Sequence, residues 1–217
     1  MKKSILLVIS FLLLASSVYS KPRYEIIING GETKSVGEDA RYWEMGYNLG
    51  LDVYLKSKTR VSYGLRIAKC WFTPNGDEYL KRESKAEAMY YPYKSYDYDL
   101  TGTSGKLSIF GIVPVVRINL LKNIKEKVNI NLITGFGIYE LKSDIKVTGV
   151  YRDNVNRGII GIYIEPGATS EAKPGFQIGA LISLGDRLVI TPYYNTVFTS
   201  GKYTNYATVD IGFKLSK

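Results

Sequence analysis

Between Arg41 and Leu55 the chain alternates with a period of two. Trp43, Met45, Tyr47, Leu49, Leu51, Val53 and Leu55 occupy one set of positions, and Glu44, Gly46, Asn48, Gly50, Asp52 and Tyr54 the other. A helix, with 3.6 residues per turn, would scatter these seven apolar side chains around its circumference. A strand places them all on one face. The pattern returns from Thr59 to Phe72, where Val61, Tyr63, Leu65, Ile67 and Trp71 oppose Arg60, Ser62, Gly64, Arg66, Ala68 and Cys70. It returns again in two hairpins, 106–120 with 128–141 across Leu121–Lys127, and 174–184 with 188–198 across Gly185-Asp186-Arg187. A closing strand runs from Thr204 to Leu215, and a weaker opening one from Arg23 to Asn29. The expected total is eight strands.

The connections alternate in length. Those at 56–58, 121–127 and 185–187 are short, whereas 30–40, 73–104 and 142–173 are long, and 199–203 closes the series. Short turns at one end and long loops at the other suit an outer-membrane barrel with its short turns in the periplasm and both termini at that end. A lipocalin-like soluble barrel or a β-sandwich would also alternate. The glycines favour the membrane form: Gly46, Gly50, Gly64, Gly135, Gly137, Gly179 and Gly212 all fall on the polar face. A crowded interior needs small residues, whereas a solvent-exposed strand is only weakened by them. The expected fold class is all-β, an eight-stranded antiparallel up-and-down transmembrane β-barrel. Pro114 and Pro192 interrupt strand patterns on its outer face and mark candidate bulges.

The first twenty residues are expected to be a cleaved signal peptide, leaving the barrel at 21–217. Lys2 and Lys3 precede an apolar run from Ile5 to Leu14, and Val18-Tyr19-Ser20 fits a cleavage site before Lys21. Removing this segment takes away two lysines and no acid, lowering the net charge from +9 to +7. The remaining charge forms no basic helix or arginine-rich arm, so anionic lipid headgroups are expected as partners and nucleic acid is not. The chain has no histidine, which excludes Ser-His-Asp and Cys-His catalysis and HExxH zinc sites. No phosphate-binding loop is present, and no cofactor, metal site or enzymatic activity is expected. Cys70 is the single cysteine, so no disulfide can form within the chain.

The segments Gly46-Tyr47-Asn48-Leu49-Gly50-Leu51, Phe110-Gly111-Ile112-Val113-Pro114-Val115-Val116-Arg117 and Val209-Asp210-Ile211-Gly212-Phe213-Lys214-Leu215 resemble the outer-membrane protein β-barrel domain family, the small OmpA/OmpX-like barrels. The resemblance spans the mature chain as a pattern. It implies the outer membrane as location and the barrel-assembly machinery as a partner that reads the closing strand. It supplies no catalytic residues. Ser216 and Lys217 stand where such strands commonly end in an aromatic residue.

An eight-stranded barrel is just wide enough for its own side chains to fill. The inward face is expected to carry Glu25, Glu44, Asp52 and Asp210 against Arg60, Arg66, Arg117, Arg187 and Lys214, pairing into a structural charge network. In the first hairpin a three-residue turn would pair Leu55 with Thr59 and Gly50 with Gly64. Asp52 would then lie diagonal to Arg60, with Arg117 or Tyr139 filling the glycine gap. In the hairpin at Asp186, Gly179 would face Tyr193. Function is then expected in the loops, where Tyr79, Tyr90, Tyr91, Tyr93, Tyr96 and Tyr98 are interleaved with lysines and suit either a recognition surface or the barrel's aromatic girdle. The reading is a monomeric, non-enzymatic barrel of structural or surface-interaction type, in contact with lipopolysaccharide and phospholipid. A narrow channel for small solutes is the alternative.

Overall fold

The computed structural model describes residues 24–57, 59–81, 96–121, 128–153, 155–156, 158–199 and 202–215. The expected signal peptide lies outside them. So do Tyr90, Tyr91 and Tyr93. The described residues form nine strands: β1 (Tyr24–Val36), β2 (Gly46–Leu55), β3 (Val61–Phe72), β4 (Tyr96–Ser104), β5 (Leu107–Asn119), β6 (Val128–Asp153), β7 (Ile159–Leu184), β8 (Leu188–Thr199) and β9 (Lys202–Lys214). A 3-10 helix spans Glu38–Tyr42, and a short helix covers 76–81.

Eight of the strands close into a ring in the order β1-β2-β3-β5-β6-β7-β8-β9, with β9 returning to β1, every pair antiparallel. Closure gives each spanning strand two partners, which satisfies the backbone without water. The extra strand, β4, prolongs β5. Ser104 pairs with Lys146 and Leu107 with Ser143, so the same register along β6 continues across the break. The break falls at Gly105, whose φ of 98° belongs to the left-handed region where glycine is favoured.

The expected loop at 142–173 is mostly strand. β6 and β7 are 26 residues each and pair from Val128–Leu184 to Arg152–Ile159. Beyond Ser143 on β6 and Gly175 on β7 the ring partners end, and β4, β6 and β7 continue as a three-stranded extension. Likewise β1 runs to Val36, through part of the expected 30–40 loop. The prolines mark no bulge. Around Pro114 the β5–β6 register is unchanged between Ile112–Ile138 and Val115–Gly135, and around Pro192 the β7–β8 register is unchanged between Gly179–Tyr193 and Ile182–Ile190. Each proline omits a local stretch of ladder and shifts nothing.

The first hairpin differs from expectation. Leu51 pairs with Ile67, Gly50 with Ala68, Asp52 with Arg66 and Tyr54 with Gly64. The turn is longer than three residues because Ser57 and Thr59 stabilise a wider one. Their hydroxyls lie 2.8 Å apart, and the Thr59 N–H donates to Ser57 Oγ at 3.1 Å. Arg60 belongs to this turn and is exposed, so it is not a lumen residue. The second expected register is observed: Gly179 faces Tyr193.

The outer face is apolar, with Leu49, Tyr63, Phe136, Ile138, Val209, Ile211 and Phe213 all exposed. On the inner face tyrosines pack over glycines. A Cβ on Gly64 would lie 2.6 Å from the Tyr54 ring, one on Gly179 2.6 Å from Tyr193, and those on Gly111 and Gly175 2.9 and 2.6 Å from Tyr139. Large rings thus occupy the space that the glycines leave, which is why small and large residues coexist on the buried face. The Gly64 gap is filled by its own cross-strand partner Tyr54, not from across the lumen; Arg117 reaches it only through that ring, 4.3 Å from its centroid.

Candidate functional site

Strand parity carries Asp52 of β2, Arg66 of β3 and Asp210 of β9 to the middle of the lumen, where Arg66 is 4% exposed and both carboxylates 0%. Arg66 donates from Nη1 to Asp52 Oδ2 at 3.3 Å and from Nη2 to Asp210 Oδ2 at 2.5 Å. The Asn29 amide donates to Asp52 Oδ2 at 2.9 Å, and the Tyr193 hydroxyl to the same oxygen at 3.3 Å. The guanidinium lies 3.8 Å from the centre of the Tyr193 ring. Strands β1, β2, β3, β8 and β9 are therefore tied together across the bore. Such a pairing is needed because an isolated charge in this environment costs several kcal/mol.

A second layer lies toward the short-turn end. Glu25 of β1 accepts a hydrogen bond from Arg117 of β5, and Lys214 of β9 approaches Glu25 Oε2 at 3.9 Å while donating to Ser183 Oγ at 2.9 Å. The two layers balance in charge. One cation faces two carboxylates in the middle, and two cations face one carboxylate below. Beside Arg66, a cavity of ≈ 10 Å³ is lined by Gln177, Asn195, Thr208, Tyr139 and Tyr206 among others. That is room for roughly one water molecule.

Toward the long-hairpin end the lumen becomes apolar. Phe72 and Tyr206 meet edge to face at 5.9 Å, with Ile109, Val197 and Cys70 buried in the same cluster. Trp43, Leu107 and Leu141 pack against it. The alternation places Trp43 on the outer face, and the structure overturns this. Tyr47 pairs with Trp71, but Trp43 bridges Pro74, a slip of one residue that reverses the side chain's direction. The slipped segment is held by Glu44 N–H to Thr73 O at 2.9 Å and Asn75 N–H to Tyr42 O at 2.8 Å.

The expected lumen residues therefore divide. Asp52, Arg66, Arg117 and Asp210 line the bore, together with Glu25 and Lys214. Glu44 is exposed before β2 begins, in the slipped segment. Arg187, in the turn between β7 and β8, is exposed as well. Tyr79 meets Trp43 edge to face at 6.2 Å, at the loop-end mouth. Tyr96 and Tyr98 belong to β4, so they lie in the extension above the barrel rather than in a loop. The aromatic girdle also includes a pair that the sequence reading did not single out, Tyr47 stacked on Trp71 at 5.0 Å. Only their shared row in the first hairpin brings them together. Among the described residues, no group of three or more His, Cys, Asp or Glu side chains could hold a metal ion.

No protein-family model and no curated protein matches the chain. Solved structures do. Neisserial surface protein A (NspA) is similar with a TM-score of 0.50 and 7% identity, over 89% of this chain and 97% of that one. Ail, the attachment invasion locus protein of Yersinia pestis, is similar at 0.46 and 10% identity, over 90% and 100%. The N-terminal β-barrel domain of Pseudomonas aeruginosa OprF is similar at 0.41 and 9% identity, over 90% and 100%. At such identities the likeness to NspA concerns the fold, and with the closed ring and apolar exterior it agrees with the OmpA/OmpX-like architecture. The chain has the fold of an outer-membrane β-barrel.

Proposed function

We propose that this protein is a non-enzymatic outer-membrane barrel of structural or surface-interaction type. In this reading its lumen is filled by its own side chains and its working surface is the β4–β6–β7 extension with the loops around it. The observation that carries the reading is the Arg66 guanidinium shared between two buried carboxylates in the middle of the bore. The cluster of Phe72, Ile109 and Tyr206, against which Trp43 packs, adds a mainly apolar layer toward the loop end, and apolar constrictions oppose ion passage. Residues 1–20 act as the export signal, the extension lies outside the cell, and the turns at 56–60 and 185–187 face the periplasm. The barrel-assembly machinery and outer-membrane lipids are its partners, and the chain works as a monomer.

The test is single-channel recording in planar bilayers. The filled-lumen reading expects no discrete openings from wild type. A steady, porin-like conductance from the folded protein would overturn it and favour the small-solute channel.

A further inference from the structure

The hairpin between β6 and β7 ends far from the membrane. Residues 144–153 of β6 follow its last ring pairing at Ser143, and a strand rise of about 3.4 Å carries the tip roughly 30 Å beyond the barrel. An apolar side chain gains nothing in water at that height. Yet the tip presents Val155, 94% exposed and the most exposed large apolar side chain among the described residues, and Ile159, 62% exposed. Single exposed apolar residues scattered over a surface are ordinary. These two flank one tight turn, and no charged residue follows along β7 until Glu165; the chain there reads Ile159-Ile160-Gly161-Ile162-Tyr163-Ile164.

The turn satisfies its own backbone. Asp153 Oδ1 accepts the N–H groups of Val155 at 2.7 Å and Asn156 at 3.0 Å, and Asn156 Oδ1 accepts that of Gly158 at 2.8 Å. The Asp153 N–H donates to Gly158 O at 3.0 Å. A peptide N–H taken out of water without a partner is costly, and these donors keep their partners when the turn leaves water. What the tip can enter follows from its size and charge. One turn with two leading side chains is far smaller than the roughly 800 Å² that each partner buries in a stable protein–protein interface. A bilayer interface sets no such minimum. It takes up apolar side chains singly and requires only that the backbone be satisfied. The charges of the tip, Arg152, Asp153 and Arg157, sum to +1, which favours an anionic lipid surface over a cationic one.

We propose that the β6–β7 hairpin tip inserts into the interface of an opposing lipid bilayer, with Val155 and Ile159 entering the boundary between headgroups and acyl chains. The extension then holds a second membrane at its own length from the barrel. The inference rests on the surface-interaction reading above, in which the extension lies outside the cell, and it names the partner as a lipid surface.

The experiment places the folded full chain in phosphatidylcholine nanodiscs and floats them with protein-free vesicles of phosphatidylcholine, with or without phosphatidylserine. Retained heat-modifiable gel mobility shows that each variant is folded. Wild type should float with both kinds of vesicle, and a few-fold more with phosphatidylserine. V155S/I159S should bind at least about tenfold less, because both leading apolar side chains are gone. M45S/Y203S, which removes two exposed apolar side chains nearer the barrel, should change binding less than about twofold. V155W should bind more tightly, since tryptophan favours such interfaces. Its emission should be quenched by vesicles with brominated acyl chains, and that of wild type should not. No flotation of wild type, equal loss in M45S/Y203S, or equal quenching in wild type and V155W would overturn the insertion. Binding confined to phosphatidylserine vesicles and unchanged in V155S/I159S would make the contact electrostatic and overturn it as well. Orientation is read separately, by impermeant thiol labelling of intact cells. Labelling at S57C rather than N156C would remove the outward reading even if the flotation result stood.

Discussion

Replacing Arg66 with methionine leaves Asp52 and Asp210, both fully buried, without their shared cation. Breaking a buried ion pair by deleting one partner costs about 3–5 kcal/mol, and here the loss also leaves two carboxylates facing each other. Removing one acid is a smaller change. In D210N the pair Arg66–Asp52 remains, with the Asn29 and Tyr193 hydrogen bonds to Asp52 intact. The cost is then that of one charge-assisted hydrogen bond, about 1.5–3 kcal/mol. The charge-neutral triple variant R66M/D52N/D210N removes every charge of the layer and should recover most of the R66M loss. Urea unfolding in phosphatidylcholine vesicles, followed by the fluorescence of the two tryptophans, measures these differences. With a urea dependence on the order of 2 kcal/mol/M, R66M should lower the midpoint by about 2 M and D210N by about 1 M. Equal losses in R66M and D210N, or a triple variant weaker than R66M, would show that the layer is not held by charge balance.

Other outcomes follow from particular contacts. Gly179→Ala drives a Cβ against the Pro192 carbonyl oxygen and into the Tyr193 ring, the latter at 2.6 Å, and should cost about 1–3 kcal/mol in the same unfolding assay; a neutral effect would show that neither the backbone of β8 nor the ring constrains this position. Pro114→Val restores a backbone N–H where the β5–β6 ladder is interrupted, and should stabilise by about 1 kcal/mol; a loss would show that the proline has a positive role. At the hairpin tip, the Asp153 carboxylate accepts the N–H groups of Asn156 and Val155, which hold its pKa below the usual carboxylate range. A depressed folded pKa stabilises the turn above the unfolded value, about 3.9, and the effect is lost as pH falls through the folded value. Intrinsic-rate-corrected amide protection at Val155 and Asn156 should therefore hold down to about pH 4 and drop below it in wild type but not in D153A, and identical pH profiles would remove the turn's dependence on this carboxylate.

Alternation alone determined that the chain is built of strands and which side chains face the bore. Asp52, Arg66, Arg117 and Asp210 could be named for the lumen because side-chain direction follows parity along a strand, whatever its neighbour. The first hairpin shows why register was harder. The expected pairing missed by four in the sum of partner numbers, yet every face survived, because an even shift preserves the faces and only an odd one reverses them. The hydrophobic pattern therefore excludes odd slips and leaves the even ones to turn geometry, which Ser57 and Thr59 settle. Glu44 and Arg60 failed for the opposite reason: they extrapolate parity past the strand ends, into a slipped segment and a turn. Beyond Leu141 the even positions of β6, which carry its apolar outer face in the barrel, turn polar at Lys142, Asp144, Lys146 and Thr148, while Ile145 and Val147 on the other face are buried. The apolar face changes sides there, and with Gly149, Pro166 and Gly167 interspersed the segment reads as a loop until its pairing with β7 is seen. The charge layers, the tyrosines seated on glycines, the inward turn of Trp43 and the Tyr47–Trp71 stack all depend on which strand lies beside which. Closure of the ring decides that through contacts between residues as distant in sequence as Arg66 and Asp210, and no local pattern encodes it.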